Sequence, residues 1–362
     1  MGRVLDRIEI EGYKSIARCD LELNRLNVFV GPNGAGKSNF ISALGLLGEL
    51  VNGNLQRTVG RAGGASTLLH GGPKNTARLR LRTTFGVNGY EAVLEPAAGD
   101  ALIFEDERCY FKGDYVANFS RFIGAGHKES QLEAEAEVEP VPRYCYRAMQ
   151  SWKVFHFHDT SAQAGVKQKQ DIGDNEYLRA DASNLAPFLY RLRETERDDY
   201  ERIRDAVRLV APFFDDFRLR PDPLNTSRIQ LEWQQVDSDG YFTANALSDG
   251  TLRFICLSTL LLQPDPPSVI VVDEPELGLH PYAITQLADM FRSTAVTRQL
   301  IVSTQSVTLL NQLDPGDIVI TQHQNGETVF DRPDWDALQQ WLAEYSVGEL
   351  WEKNLLGGRP YS

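Results

Sequence analysis

Gly31-Pro32-Asn33-Gly34-Ala35-Gly36-Lys37-Ser38 matches the pattern of a phosphate-binding loop in full. Glycines at 31, 34 and 36 let backbone N–H groups converge on phosphate oxygens, and a helix starting at the end of the loop would add its positive dipole. Lys37 is expected to reach the β- and γ-phosphates of ATP and Ser38 to ligate Mg²⁺. Asn33 within the loop and Asn39 just after it join Gly31, Gly34 and Gly36 as expected nucleotide contacts. A second acidic motif follows far downstream. Val269-Ile270-Val271-Val272-Asp273-Glu274 is an apolar run ending in two acids. Asp273 is expected to hold the Mg²⁺ water shell and Glu274 to orient or deprotonate the attacking water. A third segment, Leu247-Ser248-Asp249-Gly250-Thr251, precedes an apolar helix and makes another helix N-terminus suited to an anion. One chain cannot easily bring both helix ends onto one triphosphate. Two chains related by a twofold axis can, each lending Ser248 and Gly250 to the other's γ-phosphate. Ser248 would also serve as a simple N-cap, and the two roles are compatible.

The elements around these motifs are those needed to position them. Leu26-Asn27-Val28-Phe29-Val30 reads as a strand entering the glycine loop, and residues 39–50 carry helical apolar spacing through Phe40, Ile41, Leu44 and Leu47. Ile8-Glu9-Ile10 and Leu21-Glu22-Leu23 alternate like half-buried strands. Residues 77–111, with Arg78-Leu79-Arg80-Leu81-Arg82, read as an antiparallel β region. Residues 131–142 are acidic and proline-bounded and read as a solvated loop; residues 161–174 are polar and read as a mobile segment. Residues 175–210 read as the longest helical stretch, ended by Pro212. Leu300-Ile301-Val302-Ser303-Thr304 and Ile318-Val319-Ile320-Thr321 read as two further buried strands. A tail from Trp335 carries tryptophans and a 357–360 turn, and a packing role is expected for it. The whole predicts an α/β fold whose sheet takes ligand at the carboxyl ends of its strands. The expected divisions are 1–125, 126–240, 241–325 and 326–362.

Composition narrows the class. A chain of 362 residues exceeds what one growing core usually serves, so two lobes are expected. A net charge of −13 argues against a nucleic-acid coat. Four scattered cysteines without a CxxC pair fit neither a zinc site nor a disulfide frame. No leader pattern and no run long enough to span a bilayer are read, so a cytoplasmic protein without a membrane partner is expected. Gly2 does not read as a myristoylation site, because Asp6 stands where Ser or Thr is wanted.

Together these motifs, with Asp273-Glu274-Pro275-Glu276-Leu277-Gly278-Leu279-His280-Pro281, resemble the ABC-type ATPases of the SMC/RecF/overcoming-lysogenization-defect group. Ile10-Glu11-Gly12-Tyr13-Lys14-Ser15-Ile16 looks like that group's opening "FKS" segment, which adds Lys14 to the expected nucleotide contacts. Residues 177–217, with Ser183-Asn184-Leu185 and Pro212-Phe213-Phe214, look like the helical part of its short-armed bacterial members. The resemblance implies an α/β, ABC-type P-loop ATPase head, with a mixed sheet, an antiparallel β subdomain and a helical lobe, in a head-to-head homodimer that closes on ATP and opens on hydrolysis. It also implies a separate effector chain, a nuclease among the candidates, in antiphage defence or DNA maintenance. The group carries a histidine after the strand at 300–304, where this chain has Gln305. A glutamine amide donates a hydrogen bond but no positive charge, which predicts slow turnover with Gln305 in the catalytic set. For the group's Mg²⁺-contacting glutamine, Gln163, Gln168 and Gln170 are the candidates. His280 sits where an inter-subunit loop is implied, with functional and structural readings evenly weighed.

Other clusters carry weaker readings. Phe155-His156-Phe157-His158 puts two histidines on one face of a strand, and hydrogen-bonded structural histidines are favoured over a metal site. Arg78, Arg80 and Arg82, joined by Arg143, Arg147 and Lys153, suit a DNA backbone, although solvated strand faces are commoner. A transporter nucleotide-binding subunit is a rival reading, disfavoured by the "FKS" opening, the long stretch between the first two motifs and Gln305. A fused nuclease would need an acidic domain beyond Gln305, and the stretch that follows is too short for one.

Overall fold

The computed structural model describes residues 4–113 and 119–356. Gly2 and the 357–360 turn lie outside the described residues. An antiparallel pair, β1 (Arg7–Tyr13) and β2 (Ile16–Glu22), is followed by β3 (Leu26–Val30), which runs into α1 (Lys37–Val51). Short helices α2 (Leu55–Arg61) and α3 (Ala65–Leu68) lead to β4 (Leu79–Phe85), β5 (Asn88–Ala97), β6 (Ala101–Phe111) and β7 (Phe119–Gly124). Helices α4 (Leu132–Val138) and α5 (Pro140–Met149) return the chain to β8 (Lys153–Phe155). After β9 (Gln170–Asp171) come α6 (Leu185–Thr195) and α7 (Arg197–Val210). Short strands β10 (Phe214–Phe217), β11 (Pro221–Asp222), β12 (Asn225–Ile229), β13 (Glu232–Gln235) and β14 (Tyr241–Thr243) build two small sheets. The remainder is α8 (Asp249–Leu262), β15 (Val269–Asp273), α9 (Pro281–Ala295), β16 (Gln299–Thr304), α10 (Val307–Leu310), β17 (Ile318–Gln324), β18 (Glu327–Asp331), α11 (Gln339–Leu342) and α12 (Val347–Glu352).

The site-bearing sheet runs β18-β17-β3-β16-β15-β8, parallel throughout except for the β17–β18 hairpin. Its strands read as unbroken apolar runs because both faces are covered. Alternate residues enter two different cores. Val28, Val30, Ile270, Val272, Leu300, Val302, Ile318 and Ile320 face the core shared with α6, α7, α8 and α9. Phe29, Val269, Val271, Ile301 and Val319 face the core shared with α1 and the antiparallel sheet. That second sheet runs β2-β1-β4-β5-β6-β7.

The arginine stripe is neutralised within this sheet. Register sets Glu9 opposite Arg82, Glu11 opposite Arg80, and Arg82 opposite Glu91. Arg80 lies 2.7 Å from Glu91 and 3.3 Å from Glu11, and Arg82 3.8 Å from Glu9. Arg78 pairs with Glu105, and Arg143 donates to the carbonyls of Ala136 and Glu137. Cross-strand acids invisible to a local reading have engaged these cations.

Three local expectations are corrected. Residues 131–142 are not a loop but hold α4 and the start of α5. Leu132 and Ala136 are buried four residues apart while the glutamates face water. Pro140 stands at the first position of α5, where its missing N–H costs nothing. The 161–174 segment is packed, with Val166 and Lys167 buried and the Lys167 ammonium on the Thr160 carbonyl. The 175–210 stretch is two helices that meet at Glu196, which serves as cap to both. Before them lie turns held by buried Asn184, whose side chain bonds Asp174, Tyr177 and Arg179. In the tail, Trp335, Leu338, Leu342 and Trp351 pack on the helical core.

Candidate nucleotide site

β3 ends at Val30 and α1 begins at Lys37, so the glycine loop spans a strand-to-helix junction at the carboxyl end of the sheet. Gly34 and Gly36 hold φ of 80° and 106°, which a side chain would strain. A Cβ on Gly31 would strike the Thr321 carbonyl, and one on Gly36 would strike the Thr328 hydroxyl. Thr328 in turn donates to the Ala35 carbonyl at 3.0 Å, so β18 braces the loop from behind. Ser15 meets Thr328 at 2.7 Å and accepts from the Asn39 amide at 2.6 Å. Lys14, held at φ 46°, sends its ammonium to Ser42, one turn along α1 from Ser38.

Lys37 is buried, and its ammonium donates to the Gly31 and Pro32 carbonyls at 2.7 and 3.1 Å. Burial lowers its pKa from the ordinary value, opposed by the charges of Glu274, Asp273 and Glu276. No carboxylate pairs with it directly among the described residues. A cation held by loop carbonyls alone, above a ring of backbone N–H groups, fits a polyphosphate.

Strand parity aims the acids. Asp273 lies on the α1 side of the sheet with Val269 and Val271, and its carboxylate accepts from Ser303, its register partner on β16. Glu274 takes φ 43°, a left-handed conformation rare outside glycine, while its N–H extends the ladder to Ser303 at 3.0 Å. Its carboxylate accepts from the Gln305 amide, which also donates to Asn33 at 2.6 Å. The phosphate loop and Glu274 are thus joined by one side chain. Among the described residues no group of three or more His, Cys, Asp or Glu could hold a metal ion. Mg²⁺ does not need such a cage, since it keeps waters and shares phosphate oxygens with one or two protein ligands. Ser38 and Asp273 fit that donor set.

Several contributors had no signal in a local reading. Glu276 is buried, accepts from Thr304 and from the Gln305 N–H at 3.2 Å, and has its pKa raised, first by burial. Its second oxygen has no partner. The Gln168 and Gln170 amides donate instead to the Ala162 and Gly165 carbonyls. His158 instead stands beside Asp273, 2.8 Å from its carbonyl, on the loop after β8 rather than on a strand. Arg253 on α8 donates to the carbonyls of Phe157, His158 and Leu277, tying that loop to the one after β15.

Ser248 differs from all of these. It caps α8 by accepting from the Thr251 N–H at 3.1 Å and meets the Thr251 hydroxyl at 2.8 Å, and it is exposed. Gly250 packs so closely on the Gly278 carbonyl that a Cβ would collide. His280 caps α9, accepting from the Tyr282 N–H at 3.2 Å.

A family model described as "AAA domain, putative AbiEii toxin, Type IV TA system" matches residues 26–311, from β3 to the residue after α10. The chain belongs to the AAA_21 family. Two solved structures share the fold of this AAA_21 protein. One is an SmcHead bound to the C-winged helix domain of ScpA, with TM-score 0.57 and 16% identity over 92% of this chain and 99% of that one. The other is the Smc head domain with an extended coiled coil, bound to the C-terminal domain of ScpA and derived from Pyrococcus furiosus. It has TM-score 0.53 and 15% identity over 94% and 98% of the two chains. No curated protein matches in sequence. By family this is an AAA_21 protein, and its fold is that of the Smc heads. No helix among its described residues is long and apolar enough to cross a membrane.

Proposed function

We propose that the chain is an ATP-hydrolysing switch that dimerises head-to-head on Mg-ATP and regulates a separate effector chain. A nuclease in antiphage defence or DNA maintenance is the effector class we favour. In this reading Lys37 and the loop N–H groups bind the β- and γ-phosphates, while Ser38 and Asp273 hold Mg²⁺. The ion would neutralise charge developing on the transferred phosphoryl group. Glu274 orients water for attack on the γ-phosphorus, and ADP and phosphate leave. Ser248 and Gly250 contact the γ-phosphate bound by the other protomer. The observation that carries this reading is the contrast at the rim. The acids, Lys37 and Gln305 are brought to one edge of one chain, whereas Ser248 caps its own helix and faces outward. The Smc heads that share the fold were each solved with a protein partner, which supports a partner-directed output. Direct action on DNA gains less support, because Arg78, Arg80 and Arg82 are paired with acids.

The test is size-exclusion chromatography of Glu274→Gln with saturating Mg-ATP. The variant should bind ATP, fail to turn it over and accumulate as dimer. A protein that stays monomeric under those conditions would sink the composite site.

A further inference from the structure

Beyond the phosphate loop, a cavity of about 760 Å³ opens between α1, α2, β8 and the turn at 177–180. Its floor is the α1 stripe Ser42, Gly45, Leu46 and Glu49, which begins one turn past Ser38. None of residues 31–38, and none of Asp273, Glu274, Gln305 and Ser248, lines it; of the expected nucleotide contacts Lys14 alone does. Its walls are unusual for a chain of net charge −13. Lys14, Arg57, Arg61, Lys153 and Arg179 converge there against one lining carboxylate, Glu49.

Elsewhere this protein neutralises its arginines, as on β4 and α7. Here Lys14, Arg57, Arg61 and Lys153 have no carboxylate within ion-pairing distance among the described residues; Arg179 alone is paired, to Asp174 at 2.8 Å. Lys153 sits 4.1 Å from the centre of the Tyr177 ring, which is largely exposed, and Lys14 is aimed inward by a left-handed backbone. Holding cations together without acids is costly, and backbone strain tends to collect where a ligand is clamped. Burial lowers the pKa of both Lys14 and Lys153, in keeping with ammonium groups partly withdrawn from water. The exposed Tyr177 ring adds aromatic surface beside the charges, with the buried Tyr13 and Trp152 behind it.

Unpaired guanidinium and ammonium groups suit phosphate oxygens, aromatic faces suit a nucleobase, and the volume is that of a small-molecule pocket rather than a bare anion site. We propose that this cavity is a second binding site, for a nucleoside phosphate other than the nucleotide on the phosphate loop. That unit is supplied either free or as the 5′-phosphorylated end of a strand. The site does not depend on the dimer reading above.

The experiment uses the full chain carrying Lys37→Ala, which silences the phosphate loop. Binding is measured for adenosine 3′,5′-bisphosphate by calorimetry and for a short 3′-labelled strand, with and without a 5′-phosphate, by anisotropy. Binding of the bisphosphate alone assigns a free nucleotide, and binding only of the phosphorylated strand assigns a strand end; either supports the site. Adding Lys153→Glu or Arg57→Glu should weaken binding by about tenfold. In chains with Lys37 intact, the same two changes should leave Mg-ATP affinity unaltered. Lys153→Gln is the milder variant if charge reversal disturbs folding. Absence of binding by every probe, or no weakening in these variants, overturns the proposal. A parallel loss of Mg-ATP affinity also overturns it, since the cavity would then be an extension of the loop's own site.

Discussion

The strand-end rim and the tip of α8 carry comparable polar chemistry and use it in opposite ways. At the rim, Asn33, Gln305, Glu274, Ser303 and Asp273 are bound to one another, with Thr304 and Glu276 closing the network from the other face of the sheet. At the tip, Ser248 hydrogen-bonds, among the described residues, only within its own first turn. A network satisfied within one chain can be preset before ligand arrives, whereas an exposed helix end offers its dipole to whatever comes. On the function proposed above, the two halves of one chemistry are completed by different chains.

Each prediction tries to break or sharpen that contrast. The largest effect should come from Lys37→Ala, with turnover falling on the order of a hundredfold or more in a steady-state phosphate-release assay. Ser248→Arg should cut turnover by a similar order while each monomer still binds nucleotide. Unchanged turnover there would make Ser248 a cap and nothing else, a role worth about 1 kcal/mol of stability. Gln305→His should raise turnover by about fivefold, since imidazole can carry the positive charge an amide cannot, and Gln305→Ala should not. Equal rates in both would show that the tie to Glu274, rather than the missing charge, limits turnover.

The smallest effect concerns Glu276→Gln. Burial raises the Glu276 carboxyl, so the folded state holds its proton to higher pH than the unfolded chain does. The stability tied to that proton is complete below the unfolded value and is lost as pH rises through the folded one. Glutamine keeps the acceptor oxygen used by Thr304 and Gln305 without the charge. Its thermal unfolding should match the natural protein in acid and exceed it, by on the order of 1 kcal/mol, once pH passes the carboxyl range. A constant difference across pH would mean that the charge is not the cause.

Much of the rim was legible because its signals are local. Residues 26–38 announce a strand, a glycine loop and a helix start in one reading, and Val269-Ile270-Val271-Val272-Asp273 announces a buried strand ending in an acid. Gln305 stood out only through the resemblance, as the residue in place of that group's histidine after such a strand. What stayed hidden depends on contacts between distant residues. His158 reaches Asp273 across 115 positions, Arg253 reaches Phe157 across 96, and Thr328 braces Ala35 across 293. The acidic 131–142 segment was misread because the buried residues of α4, Leu132 and Ala136, are too few to outweigh four glutamates locally. Glu196 breaks the long helix with no proline or glycine to warn of it.

The alternation of β15 between two cores has a consequence for how this protein can change. Val271 and Asp273 share one side of the sheet, Ile270 and Val272 the other. Losing or gaining a single residue in that strand would exchange the contents of both cores and turn Asp273 away from α1 in the same event. Two residues at a time would preserve the facing but shift the acid by a full pleat. Packing and chemistry are therefore under one arithmetic constraint: the sheet keeps count, and the aim of its acid is the parity of that count.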